Sequence, residues 1–258
     1  MPLYFFLGGR DLEMATIAAL LTTQAAGHFL DKGLPWGAKA SAYWDEIVIA
    51  QTRGDTPVLV ELENDLGLTV PDVIFVDHHG SCAGANKPTS LEQVFHLLGL
   101  PPAAWTPWYD LVAANDRGHI RALRSLGAAD ADVRSVRREE WRVQGITDSE
   151  VAAAQEALSR REEERSLIIV TIPHERSTLI ADLIDPAFGG TGMKNLFVVS
   201  PNQVNFQGEG RVVVALSKAF PGGWLGGELP AYGFWGHDRS GLNSSTIKQF
   251  ILGIVAKD

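Results

Sequence analysis

Phe75-Val76-Asp77-His78-His79-Gly80 closes an apolar run that begins at Val73. A short aromatic and β-branched stretch ending in three titratable residues predicts a buried strand over 72–76 that presents an acid and two imidazoles at its C-terminal end. Upstream, Leu3-Tyr4-Phe5-Phe6-Leu7 is a second apolar run, followed by Gly8-Gly9 and by helical spacing over 11–29. Further strands are expected at 46–51 and 57–62, and helical stretches at 91–98 and 108–114. Continuous apolar strands alternating with helices predict a parallel sheet covered on both faces, hence an α/β fold.

Residues 147–165 place Val151, Ala154 and Leu158 at helical spacing among Glu, Arg and Gln, and Thr147 with Glu150 has the form of a capping box. Strands are then expected at 166–171, 195–200 and 211–216, followed by a Gly-rich stretch over 221–241 and a last helix over 244–255. The expected organisation is an N-terminal domain over 1–146, a connecting helix over 147–166, and a smaller α/β domain over 167–258.

The chain has 258 residues, and 31 Asp+Glu against 22 Lys+Arg give a net charge of −9. That balance lacks the global basic field that binds long duplex nucleic acid. A nucleotide or short oligonucleotide substrate stays compatible, because metal ions or a local Arg/Lys cluster can supply positive charge where a phosphate sits. The one cysteine, Cys82, excludes an intramolecular disulfide and a multi-cysteine zinc site. No charged-then-apolar leader starts the chain, and the apolar runs break well before the ~18 residues of a membrane helix. A soluble cytoplasmic protein without a membrane span is expected.

In parallel α/β sheets, ligands gather outside the carboxyl ends of the strands. Acids and imidazoles fall at four such places: Asp11 and Glu13 after the first strand, Glu61 and Glu63 at the third, Asp77-His78-His79 at the fourth, and Asp116 after the 108–114 segment. Carboxylates with imidazole suit Mn²⁺ or Mg²⁺. Asp11 and Glu13 also read as first-turn acids complementing a helix dipole, and Glu63 as a solvated surface carboxylate. His28, His96 and His174 read as structural, and Cys82 as a small buried residue.

Asp77-His78-His79 in its setting resembles the signature of the DHH phosphoesterase superfamily. Pro88-Thr89-Ser90 and Val94-Phe95-His96-Leu97-Leu98 resemble that family's turn and helix after the signature, and Ala114-Asn115-Asp116-Arg117-Gly118 is similar to its later aspartate motif. Gly233-Phe234-Trp235-Gly236-His237-Asp238-Arg239-Ser240-Gly241 resembles the Gly-Gly-Gly-His motif of the DHH-associated second domain. The resemblance implies that His78 and Asp116 ligate one metal and that Glu61 stands where a bridging aspartate would be. Asp11 and Glu13 fall on the two aspartates of the first motif. It implies that Asp77 and His79 serve catalysis at the phosphate, and that Gly236, His237 and Arg239, with Lys218 nearby, bind substrate across the cleft. Gly9 stands where the first motif begins with a metal-binding histidine, Met14 replaces its usual glycine, and Glu13 and Glu61 are one methylene longer than Asp. The expectation is a phosphoesterase with one or two Mn²⁺ or Mg²⁺ ions, hydrolysing a phosphodiester or phosphomonoester of a nucleotide or short oligonucleotide. The alternative is a degenerate relative that binds nucleotide or a partner protein without turnover.

Overall fold

The computed structural model describes residues 2–25, 27–69, 72–78 and 87–255, and the chain divides into two compact units, Met1–Gly145 and Ile146–Asp258. In the first, β1 (Leu3–Leu7), β2 (Phe29–Asp31), β3 (Thr56–Val60) and β4 (Ile74–Val76) form a parallel sheet in the order β2-β1-β3-β4. Phe5 lies beside Phe29 on one side and Val58 on the other, and Val60 beside Val76. The chain leaves β1 toward β2 in one direction and continues on β1's other side with β3 and β4. The gap between β1 and β3 is therefore the point where strand order reverses, the usual ligand position of such sheets.

The helices of this unit are α1 (Leu12–Gln24), α2 (Trp44–Thr52), α3 (Ser90–Leu97), α4 (Pro107–Leu126) and α5 (Asp130–Val143). One core layer joins Phe6 and Leu59 of the sheet to Tyr43, Ile47 and Ala50. The strand expected over 46–51 is the body of α2. Asp45 and Glu46 occupy its first turn, and Ile47 and Ala50, three apart, are its buried residues while Val48 and Ile49 face water. A short β-branched run does not reveal its period when only two of its residues are buried. The helix expected over 11–29 stops at Gln24, and Phe29 opens β2. The sequence expectation contained no helix over 130–143, because α5 buries Arg137 and Glu140 alongside Val133, Val136 and Trp141, which breaks the apolar stripe that marks a helix.

In the second unit, α6 (Asp148–Ser159) carries the expected Thr147/Glu150 capping box. It ends before β5 (Glu162–Glu164), so the helical segment is shorter than 147–166. β6 (Leu167–Thr171), α7 (Ser177–Leu183), β7 (Asn195–Val199), β8 (Gln203–Glu209), α8 (Gly210–Ala219), β9 (Trp224–Gly226), β10 (Tyr232–Asp238) and α9 (Ser244–Val255) follow. The sheet order is β5-β6-β7-β8-β10-β9, with only β6 and β7 parallel. The strand expected over 211–216 is α8, whose Val212, Val213 and Leu216 form one buried helical face. The Gly-rich stretch over 221–241 contains two sheet strands, β9 and β10. At its other edge, β5 is three consecutive exposed glutamates. No helix among the described residues is long and apolar enough to cross a membrane.

Gly8 sets the spacing of the two central strand ends. Its N–H donates to the Val60 carbonyl at 2.8 Å, and a methyl group on its Cα would lie 2.3 Å from the Glu61 carbonyl oxygen. Gly8→Ala is expected to cost about 1–3 kcal/mol, as overpacking does, and to weaken metal binding because Glu61 moves with the strand. Denaturant unfolding, run with and without Mn²⁺, measures both.

Candidate metal centre

Asp11 caps α1: its Oδ1 accepts the Met14 N–H at 2.8 Å. The first-turn-acid and site readings of Asp11 are thus compatible. Its Oδ2 lies 3.8 Å from the position a Cβ would take on Gly9, and Glu61 Oε2 lies 3.7 Å from the same point. Glu13, on the first turn of α1, is 2% exposed. Its Oε1 accepts the Leu91 N–H at 2.8 Å, while its Oε2 is buried with no hydrogen-bond partner among the described residues.

Glu61 follows β3 with φ of +52°, a left-handed backbone that a non-glycine residue adopts at some cost. Its N–H donates to the Val76 carbonyl at 2.8 Å, which carries the β3–β4 ladder one residue past the end of β3. Glu61 Oε1 accepts the Ser90 hydroxyl at 2.8 Å. Ser90 and Leu91 are the first residues of α3, capped by Thr89 and Glu92. The positive end of the α3 dipole and two of its donors therefore face Glu13 and Glu61.

His78, two residues beyond β4, is 6% exposed. Its Nε2 lies 2.6 Å from Asp116 Oδ2, and its Nδ1 lies 3.5 Å from Glu61 Oε1 and 3.9 Å from Glu13 Oε2. Asp116 is reached from α4 just before that helix breaks at Gly118 and His119. Behind it, Arg137 Nη1 donates to Asn115 Oδ1 at 2.8 Å and Asn115 Nδ2 to Glu140 Oε2 at 3.1 Å, both buried. Arg10 Nε ties the turn after β1 to the Val143 carbonyl at the end of α5, at 3.1 Å.

Glu13, Glu61 and His78 each offer a ligand atom, and those atoms lie within 4.8 Å of one another. Burial and the neighbouring Glu61 push Asp11 up to about 7. Burial, with Asp116 and Glu61 close by, holds Glu13 well above the ordinary carboxylate range, and burial raises Glu140. Burial works against the charged form of His78, yet hydrogen bonds to Asp116 and Glu61 outweigh it and push its pKa to about 10. Carboxylates this crowded and dry are held near protonation, which a divalent cation reverses. The oxygen-rich donor set with one imidazole, and Glu13 Oε2 without a hydrogen-bond partner among the described residues, fit Mn²⁺ or Mg²⁺.

The other expected residues lie elsewhere or beyond description. Asp77 is exposed, and its carbonyl accepts Gln93 Nε2 at 3.1 Å. His79 and Cys82 lie outside the described residues. Glu63 is exposed and pairs with Lys39 at 3.6 Å. His96 Nδ1 bonds the Glu92 carbonyl at 2.7 Å, and His174 Nε2 the Glu150 carbonyl at 3.0 Å. In the second unit, Gly236 and His237 belong to β10. A methyl on Gly236 would lie 2.4 Å from the Trp224 indole, so this glycine admits an aromatic ring onto the strand. His237 bonds the carbonyls of Asp238 and Pro221 at 2.6 and 3.1 Å, and Arg239 Nη1 donates to the Ser200 carbonyl at 2.9 Å. Asn205, in register with Gly236, has a buried Nδ2 with no partner among the described residues. Neither it nor Arg137 and Glu140 carried a motif that sequence reading could find, whereas Ser90 lies in the quoted Pro88-Thr89-Ser90 stretch.

Two outcomes follow for metal binding. In metal-free protein, Asp11 keeps its proton up to about 7 when folded but loses it near 3.8 when unfolded. Stability should therefore fall as pH rises through that window, and His78, raised to about 10, extends the loss above its ordinary 6.5. Mn²⁺ affinity should rise over the same range, with proton release visible by calorimetry in buffers of different ionisation enthalpy; a flat pH profile would contradict the site. Glu13→Gln should raise the metal-free melting temperature by about 2–4 °C for each kcal/mol of relieved repulsion and remove Mn²⁺ stabilisation. A purely structural carboxylate would lower it.

No family model matches this chain, and no curated protein does. Solved structures do. RecJ from Thermus thermophilus, in complex with Mn²⁺, matches over 99% of this chain at 13% identity and a TM-score of 0.51; this chain spans 52% of that one. The DHH domain of a member of the s1p family of ribosomal proteins matches over 98% of this chain and 86% of its own length, at 12% identity and a TM-score of 0.51. At such identities the likeness concerns architecture: the chain shares the fold of RecJ and of that DHH domain.

Proposed function

We propose that this chain is a metal-dependent phosphoesterase acting on a phosphodiester or phosphomonoester of a nucleotide or short oligonucleotide. The observation that carries the reading is the buried group of Glu13, Glu61 and His78 at the strand-order reversal, with Glu13 Oε2 lacking a partner among the described residues. Asp11 and Asp116 complete the donor set. A divalent cation there would polarise a phosphoryl oxygen and lower the pKa of a water.

The chain's own residues supply position and proton handling. Leu91 N–H and Ser90 Oγ hold the Glu13 and Glu61 carboxylates in place. Asp116 fixes the His78 ring through Nε2 and so aims Nδ1 at those carboxylates. Asp77, exposed next to His78, and His79 are assigned to the proton at the leaving oxygen. Gly236, His237 and Arg239 are assigned to substrate, and the buried donor Asn205 Nδ2, level with Gly236, supports that assignment.

Gly9 supports a second reading, a binding protein without turnover. The point a side chain would occupy there lies beside Asp11 and Glu61, so the cluster is one donor short on that side. Incubation with Mn²⁺ and bis-p-nitrophenyl phosphate, dinucleotides or cyclic dinucleotides decides between them. Hydrolysis stopped by EDTA, and reduced at least about 100-fold in His78→Ala, is the expected result. Mn²⁺ binding without hydrolysis of any of them selects the second reading, and absence of Mn²⁺ binding removes the first. Gly9→His, at φ of +42° where His is better tolerated than most residues, should raise the number of Mn²⁺ ions bound, as read by calorimetric stoichiometry.

A further inference from the structure

Asp116 is carried at the edge of a helix break. Gly118 and His119 leave the helical region, and His119 has φ of +50° and ψ of −140°. That backbone favours glycine, and a histidine adopts it at a cost. A glycine stands one position earlier, yet the strained position holds a residue with a hydrogen-bonding ring.

Arg137, on the inner face of α5 and 1% exposed, uses that ring. Its Nη1 donates to Asn115 Oδ1 at 2.8 Å and to His119 Nδ1 at 3.1 Å. A guanidinium only donates, so His119 Nδ1 is the acceptor. Asn115 is held at its other end as well: Nδ2 donates to Glu140 Oε2 at 3.1 Å, and Glu140 Oε1 accepts Gln144 Nε2 at 2.6 Å. One guanidinium nitrogen therefore spans the break, with an anchor immediately before Asp116 and another three residues after it. Between the anchors, Arg117 pairs with Glu92, whose Oε2 also accepts the Thr89 N–H at 2.6 Å in the cap of α3. The chain on both sides of Asp116 is thus tied to a separate helix. A carboxylate at an untied break would swing with the loosened turn, whereas Asp116 Oδ2 stands 2.6 Å from His78 Nε2.

We propose that Arg137 is a positioning residue of the metal centre: by gripping Asn115 and His119 from α5, it sets the place of Asp116 beside His78. Its service to a metal rests on the phosphoesterase reading, and its hold on Asp116 does not. The full chain is crystallised without metal and titrated with Mn²⁺ by calorimetry, as native protein and as three variants. Arg137→Lys keeps the charge but ends one atom short of Nη1, so it cannot serve both anchors. His119→Gly gives up one anchor while relaxing the strained backbone, and should fold. In both, Asp116 Oδ2 should leave its place beside His78 by more than ~0.5 Å or spread over several positions, and Mn²⁺ affinity should fall about 10–100-fold. Val133→Ala, which opens a void one turn earlier among the buried residues of α5, should lower the melting temperature and leave both readouts native. The proposal is overturned if His119→Gly, or Arg137→Lys where it folds, keeps the native Asp116 geometry or the native affinity, or if Val133→Ala moves them as far. A native chain that binds no Mn²⁺ defeats the phosphoesterase reading instead, and the Asp116 geometry alone then decides this one.

Discussion

The repulsion among buried carboxylates organises the N-terminal unit. Asp11, Glu13, Glu61, Asp116 and Glu140 come from four separate places in the chain, and burial denies them the water that would screen them. Every nearby feature reads as a response to this load: the α3 amino end turned toward Glu13 and Glu61, the imidazole wedged between Asp116 and Glu61, and Arg137 behind Asn115. Arrangements that costly persist where a bound cation or a reaction makes use of them.

The strand ends of this unit were legible because parallel strands buried on both faces are written as continuous apolar runs. Leu3–Leu7 and Thr56–Val60 could hardly be anything else, and the acids that follow them mark the ligand end of the sheet. Asp11, Glu13, Glu61, His78 and Asp116 were singled out as candidates that way, aided by the resemblance of the Asp77-His78-His79 stretch to a known family, and the structure draws ligand atoms of Glu13, Glu61 and His78 within 4.8 Å of one another. What sequence could not convey is how they are held. Leu91 acts through its backbone amide and Arg137 through the inner face of a helix, which leave no pattern, and the quoted stretches that contain Ser90 and Asn115 do not show which groups those side chains hold.

Two of the errors share one cause. Glu46–Gln51 and Arg211–Leu216 are β-branched runs too short to display a helical period, and their helices are imposed by the sheets on which Ile47, Ala50, Val212 and Leu216 pack. The Gly-rich stretch misled in the opposite sense. Its glycine content hid two strands, in which Gly236 and Gly226 leave the space where the Trp224 and Phe234 rings lie across the neighbouring strand.

The C-terminal sheet finishes differently at its two borders. Glu162, Glu163 and Glu164 line one, with Lys248 at 2.6 Å from Glu162. A further strand laid against them would have to approach three glutamates, of which Glu162 pairs with Lys248 and Glu163 with Arg161, and a charged edge of this kind discourages growth of the sheet. The opposite border, β9, presents Trp224 and Leu225 to solvent. The sheet therefore has a guarded side and a permissive one, and any addition to it by backbone pairing has its direction biased by three consecutive glutamates.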